Sequence, residues 1–216
     1  MRFSGVVLTN VMTLFIVIIT SVVSIAAFGN HKLMDQFIFN PFVTRVRKQW
    51  YRFLSCGLLH ADFFHLLVNM YVLYSFGRMV EGYYGAMFGN KGTLMFLLLY
   101  ISSIAAANIS TYKKYHAVPS YNALGASGGV SAVVFTAILF DPFQMVMLFP
   151  IPIHFPLVLF GVGYLAYSYY MSHRTGSDNI NHEAHFYGSI HGIIFTLAFK
   201  PLVGKMFMEQ VFRWFS

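Results

Sequence analysis

The chain has 216 residues, of which 57% are hydrophobic, 19% aromatic and 10% charged, and its mean hydropathy is +0.63. Soluble domains carry about 25% charged residues, so this composition excludes an ordinary water-soluble globular protein and requires a bilayer as solvent. The net charge of +7, from 14 Lys and Arg against 7 Asp and Glu, lies between apolar runs and not in a basic block interleaved with aromatics, which favours lipid headgroups over nucleic acid.

At about 20 residues per crossing, the chain accommodates six spans in one membrane domain, residues 1–216. The first run, Val6 to Phe28, follows Arg2 and contains no charge. It is too long for a signal-peptide core and reads as a retained span, with cleavage after Ala26 or Ala27 the alternative. Gly29 to Gly57 mixes Lys32, Arg45, Arg47, Lys48 and Arg52 with Phe37, Phe39, Phe42, Trp50, Tyr51 and Phe53, a pattern that predicts an interfacial loop. Further apolar runs cover about Leu58 to Gly77, Thr93 to Ser110, Leu124 to Phe140, Phe155 to Met171 and Ala184 to Phe199. The breaks hold Gly82, Gly85, Gly89, Asn90 and Gly92, then Lys113 and Lys114, then Asp141 and Pro142, then Arg174 to Asn181. The runs are continuous and not alternating, so the expected fold is all-α and not a closed barrel.

Charge does not orient the bundle. With the termini inside, Arg2, Arg78, Lys91, Lys200, Lys205 and Arg213 lie inside, and the other basic residues lie outside. The lone cysteine, Cys56, has no disulfide partner and lacks the companions of a structural zinc site.

Polar side chains in apolar helices are functional candidates. The second run contains His60-Ala-Asp-Phe-Phe-His65-Leu-Leu-Val-Asn69, with His65 and Asn69 on one helix face. They are either cross-helix hydrogen-bonding groups or two donors converging on a developing negative charge. The fourth run opens Gly125-Ala126-Ser127-Gly128-Gly129, either a small-residue packing face or a nucleophile at a helix N-terminus whose free N–H groups favour an oxyanion. From Ser127 that helix ends by Asp141-Pro142 and rises roughly 20 Å against a core of about 30 Å, which sinks Ser127 below the membrane surface. The sixth run carries His185, Gly188 and Gly192 on one stripe. If its glycines meet Gly128 and Gly129, His185 comes within reach of Ser127, and a neutral imidazole can take the hydroxyl proton. Glu183 points away from this face, and Asp178 lies in the preceding loop, so a dyad is expected and not a triad. Nine histidines invite a metal reading through His60, His65, His182, His185 and His191, but no H-E-x-x-H is present.

Taken together these segments resemble the rhomboid intramembrane serine proteases. Gly125-Ala126-Ser127-Gly128 matches G-x-S-G, Ala184 to Gly192 matches A-H-x-x-G-x-x-x-G, and His65 to Asn69 matches H-x-x-x-N. Arg52 with His60, and Glu81-Gly82-Tyr83-Tyr84-Gly85, match further family segments in the same order. The resemblance implies a six-helix rhomboid-like bundle, a first loop partly in the outer leaflet, and Arg52 and Glu81 as structural anchors. It implies Ser127 as nucleophile, His185 as general base, and an oxyanion hole from His65, Asn69 and the Ser127 N–H. The implied reaction is hydrolysis of a peptide bond in or near a transmembrane segment of a membrane-protein substrate, without metal or cofactor. Four residues after Ser127, where many members place an aromatic ring against the catalytic histidine, this chain has Ser131, which bears on the rigidity of His185 and not on its identity. The competing readings are a non-catalytic member of the fold that binds transmembrane helices, and a small histidine-based transporter. Without an organelle-type presequence, the expected location is a plasma or inner membrane.

Overall fold

The computed structural model describes residues 11–147, 153–174 and 180–216, so Arg2, the start of the first run and Asp178 lie outside the described residues. Helix α1 (Val11–Phe28) turns Thr13, Ile16, Thr20, Ser24 and Ala27 inward and leaves Leu14, Phe15, Ile18, Val22 and Ile25 exposed. Small and hydroxyl side chains face the protein and large apolar ones face outward, the arrangement that lipid permits and water does not. Its first turn is held from another helix: the buried carboxylate of Glu81 accepts hydrogen bonds from the N–H groups of Met12 (3.0 Å) and Thr13 (2.9 Å) and from the Thr13 hydroxyl (2.8 Å). That satisfies donors a helix start leaves unpaired and sets a negative charge at the positive end of the helix dipole.

The loop that follows folds into α2 (His31–Phe37), α3 (Pro41–Arg47), α4 (Arg52–Ser55) and a tight turn at Cys56–Leu58. Asn30 and Asn40 cap α2 and α3 through their side-chain oxygens. The buried Arg52 guanidinium ties the loop together, Nη1 donating to the carbonyls of Asp35 (2.7 Å) and Ile38 (2.6 Å) and Nε to Gln49 (2.7 Å).

Helix α5 (Phe63–Phe88) starts later and ends later than the apolar run predicts. Asp62 caps it by accepting from the His65 N–H at 2.7 Å, and Gly77, Gly82 and Gly85 stay helical, Gly77 and Gly85 because neighbouring helices pack against them. A Cβ at Gly77 would lie 2.8 Å from the Thr13 methyl of α1. The break comes only at Gly89–Lys91, where Gly89 has φ +58. Helix α6 (Gly92–Tyr115) then returns so closely that a Cβ at Gly92 would meet the Gly85 backbone at 2.6 Å.

Helix α7 (Ser127–Phe140) is the centre of the molecule: from Gly128 to Phe140 every residue is buried. A short antiparallel hairpin pairs β1 (Met145–Met147) with β2 (His154–Pro156). Helices α8 (Leu157–Ser172) and α9 (His182–Phe199) follow, and α10 (Leu202–Phe215), which the apolar runs do not predict, leaves α9 at 112°. The six expected runs are thus helices α1, α5, α6, α7, α8 and α9. By length and composition the described residues hold two stretches able to cross a bilayer, Val11–Phe28 and Phe63–Tyr115, or three if the bent α9–α10 pair is one span. At 14 and 16 residues, α7 and α8 fall short of the about 20 residues of a full crossing.

Candidate active site

Ser127 is the first residue of α7, preceded by Ala126, which offers no side-chain cap. The first-turn N–H groups therefore stay free of intrahelical partners and point toward whatever lies above the helix. Gly125 has φ +124, a conformation L side chains rarely adopt. A Cβ there would also lie 3.1 Å from His65 Cε1, 3.3 Å from His65 Nε2 and 3.7 Å from Ser127 Oγ. Glycine thus lets the edge of the His65 ring approach the serine. The segment is pinned from the first loop: Phe39 and Ala123 exchange backbone hydrogen bonds at 3.0 and 2.9 Å, and the Gly125 N–H donates to the Cys56 carbonyl at 3.0 Å. A 14-residue helix rises about 21 Å, so Ser127 lies well inside a core of about 30 Å if the far end reaches the opposite face.

At the start of α5, His65 Nδ1 accepts a long hydrogen bond of 3.5 Å from the Ala61 N–H of the preceding loop, and with Nδ1 accepting, Nε2 carries the hydrogen of the neutral ring. Asn69 is buried and donates through Nδ2 to the His65 carbonyl at 2.9 Å, with its second amide hydrogen uncommitted. Behind His65 the His60 ring stands edge-on at 4.9 Å. His60 Nδ1 meets the Ser24 hydroxyl at 2.9 Å, which itself donates to the Leu58 carbonyl at 2.7 Å, so Nδ1 carries the hydrogen. His60 Nε2 is buried without a partner. His60 sits in the loop ahead of α5, and burial pushes its pKa down to about 3, so it is a neutral wall.

Helix α9 is set against α7 by its glycines. A Cβ at Gly188 would lie 2.8 Å from Gly128 Cα, and one at Gly192 would lie 2.7 Å from Ala132 Cα, which leaves room for hydrogen there and for nothing larger. The expected meeting is present at Gly128, but Ala132 and not Gly129 is its second point: Gly129 turns to α6, where a Cβ would lie 2.8 Å from the Tyr100 ring, while the Ala184 carbonyl stands 3.6 Å from where a Gly128 Cβ would be. That carries His185 to the level of the first turn of α7. Glu183 turns away, accepting from Ser110 at 3.1 Å and Lys114 at 2.8 Å.

One residue near His185 has no signal in the sequence. Tyr164 of α8 lies over the His185 ring, with centroids 6.0 Å apart and planes inclined by 20°, and its hydroxyl is 2.9 Å from Ser131 Oγ. Edge-on, His182 borders the same imidazole at 5.9 Å. Among the described residues no three His, Cys, Asp or Glu side chains gather as a cation site.

A predominantly helical fold with apolar helices long enough to cross a bilayer and polar groups gathered at the start of α7 defines a multi-pass membrane protein of the helical class. The Rhomboid domain family model matches residues 47–201, and the chain belongs to the rhomboid family. It is 28% identical over 168 residues to RHOMBOID-like protein 12, mitochondrial, of Arabidopsis thaliana, a match covering 72% of this chain. The chain spans about half the length of that relative, 49%.

Proposed function

We propose that this protein is an intramembrane serine endopeptidase that hydrolyses peptide bonds in or near transmembrane segments of membrane-protein substrates. The observation that supports it best is the convergence at the N-terminus of α7. Ser127 Oγ and the protonated edge of His65 flank the same small space beside Gly125, and the interlocked glycines bring His185 alongside. His185 takes the Ser127 proton as Oγ attacks the scissile carbonyl. The resulting oxyanion is met by the Ser127 N–H, the His65 Nε2–H and the free Asn69 amide hydrogen, where losing one donor typically costs about 10²–10³ in rate. His185 returns the proton to the leaving amine. Water, deprotonated by the same ring, then releases the acyl group. A helical substrate amide has its carbonyl committed to the helix ladder, so the bond cut is one in a segment that unwinds readily.

In this reading α1, α5, α6, α7, α8 and α9 are six spans of one domain. The proposed location is a plasma or inner membrane; membrane fractionation separates this from the mitochondrial location that the relative's name carries. The experiment is cleavage of a substrate with a single transmembrane helix by the purified protein, beside Ser127→Ala and His185→Ala. Both variants are expected to fold and to lose cleavage, and cleavage surviving in both overturns the reading.

A second reading, a non-catalytic rhomboid-like protein that binds transmembrane helices, is favoured by the relative, whose name carries rhomboid likeness and no activity. Covalent labelling by a fluorophosphonate separates the two, because only an activated serine reacts.

A further inference from the structure

Position 131, four residues after Ser127, holds a hydroxyl where an aromatic ring against the histidine is expected from the resemblance. The structure supplies a ring there from a different helix. Tyr164 of α8 lies over His185 with centroids 6.0 Å apart and near-parallel planes, and its hydroxyl is fastened to Ser131 Oγ at 2.9 Å. The tyrosine ring is held from its other sides by Phe160 at 5.6 Å and Phe135 at 6.1 Å. The small side chain at 131 and the large one at 164 therefore belong together: an aromatic at 131 would occupy the space the Tyr164 hydroxyl enters.

Resting on the protease reading, we propose that Tyr164 is the positioning residue for His185, held in place by Ser131. The face of an aromatic ring limits the rotation of the imidazole, and it attracts the imidazolium formed when Ser127 gives up its proton. Ser131, one helical turn beyond the nucleophile on α7, fixes the ring relative to Ser127 itself. The orientation of the base thus depends on α8 being docked. Helix α8 buries few residues, Leu157, Gly161 and Ser168, and the Tyr164–Ser131 contact joins it to α7 beside the contacts of Tyr167 with His182 and Tyr169 with Phe186 on α9.

The test measures kcat and KM separately for cleavage of a single-helix substrate by the full-length reconstituted protein. Tyr164→Leu is expected to lower kcat by about 10²-fold, the scale of an ångström-sized misplacement, with KM within twofold and slower fluorophosphonate labelling of Ser127. Tyr164→Phe keeps the ring and is expected to recover most of that loss. Ser131→Ala and Tyr164→Phe remove the same hydrogen bond, so the double variant should be no worse than either single one. Wild-type kcat in Tyr164→Leu, or a loss confined to KM, overturns the proposal and leaves the protease reading standing. If Tyr164→Leu does not fold, the double variant decides, and additive losses there overturn the proposal. A wild type that neither cleaves nor labels at Ser127 overturns the protease reading and this proposal with it.

Discussion

At His60 a titratable ring is enclosed with one nitrogen satisfied by Ser24 and the other facing no partner. Protonation would place a charge in a buried site beside the His65 ring, and burial therefore dominates the fall of its pKa from 6.5 to about 3, with a smaller contribution from His65 and an opposing one from Asp62. Because the folded state resists the proton that the unfolded state accepts, the stability His60 contributes is complete above pH 6.5 and is lost as the pH falls from there toward 3. Thermal melts between pH 7.5 and 4.5 should show a steeper loss for the wild type than for His60→Gln; parallel slopes would count against a neutral buried imidazole. The segments holding Ser127, His185, His65 and Asn69 stand out in the sequence because the spacing within each is itself the signal, and the packing of His65 and Ser127 beside Gly125 agrees with that spacing. Tyr164 does not stand out, because its pairing with Ser131 bridges 33 positions and two helices, and a tyrosine in an aromatic-rich apolar run carries no mark of what it touches.

Between elements, the meeting of α7 and α9 fixes how far His185 stands from Ser127. Their backbones touch at Gly188 and Gly192, and one turn deeper Thr136 and Thr196 share a hydrogen bond of 3.1 Å, with the Tyr84 hydroxyl of α5 2.8 Å from Thr196 Oγ1. A methyl at Gly188 meets main-chain atoms of Gly128, which have no rotamer to yield. Gly188→Ala should therefore destabilise the protein by about 1–3 kcal/mol and lower activity by separating the helices. Gly163→Ala on α8, where nothing lies within 4 Å, removes only helix-disfavouring freedom and should be neutral or stabilising by up to about 1 kcal/mol. Melting temperatures of the two variants check this, and equal shifts would contradict it. Other boundaries were read less well from the chain for related reasons. Glycines predict a break after Gly77, yet α5 continues to Phe88 because its glycines admit α1 and α6. Helix α10 escaped because Lys205, Glu209 and Arg213 interrupt its apolar residues, the mark of a helix lying along a surface and not of one crossing.

For the whole molecule, the basic residues are too evenly shared between the two faces to orient it, so topology must be read from reactivity. The protein offers a quiet background: Cys56 is its one cysteine, it is buried, and burial pushes its thiol up to about 12, so the thiolate a maleimide needs is scarce. Arg47 in α3 and Lys205 in α10 are exposed. Between them the chain runs through α5, α6, α7, α8 and α9. If each is a crossing, an odd number separates the two positions and they must lie on opposite faces. A membrane-impermeant maleimide applied to sealed spheroplasts should then label Arg47→Cys and not Lys205→Cys, with both labelled after permeabilisation and the wild type only after denaturation. The reverse pattern keeps six spans but turns the Ser127 end inward. Labelling of both variants from one side means an even number of crossings. That would remove the short α7 or α8 from the spanning set, and with it the argument that a 14-residue helix holds Ser127 below the membrane surface.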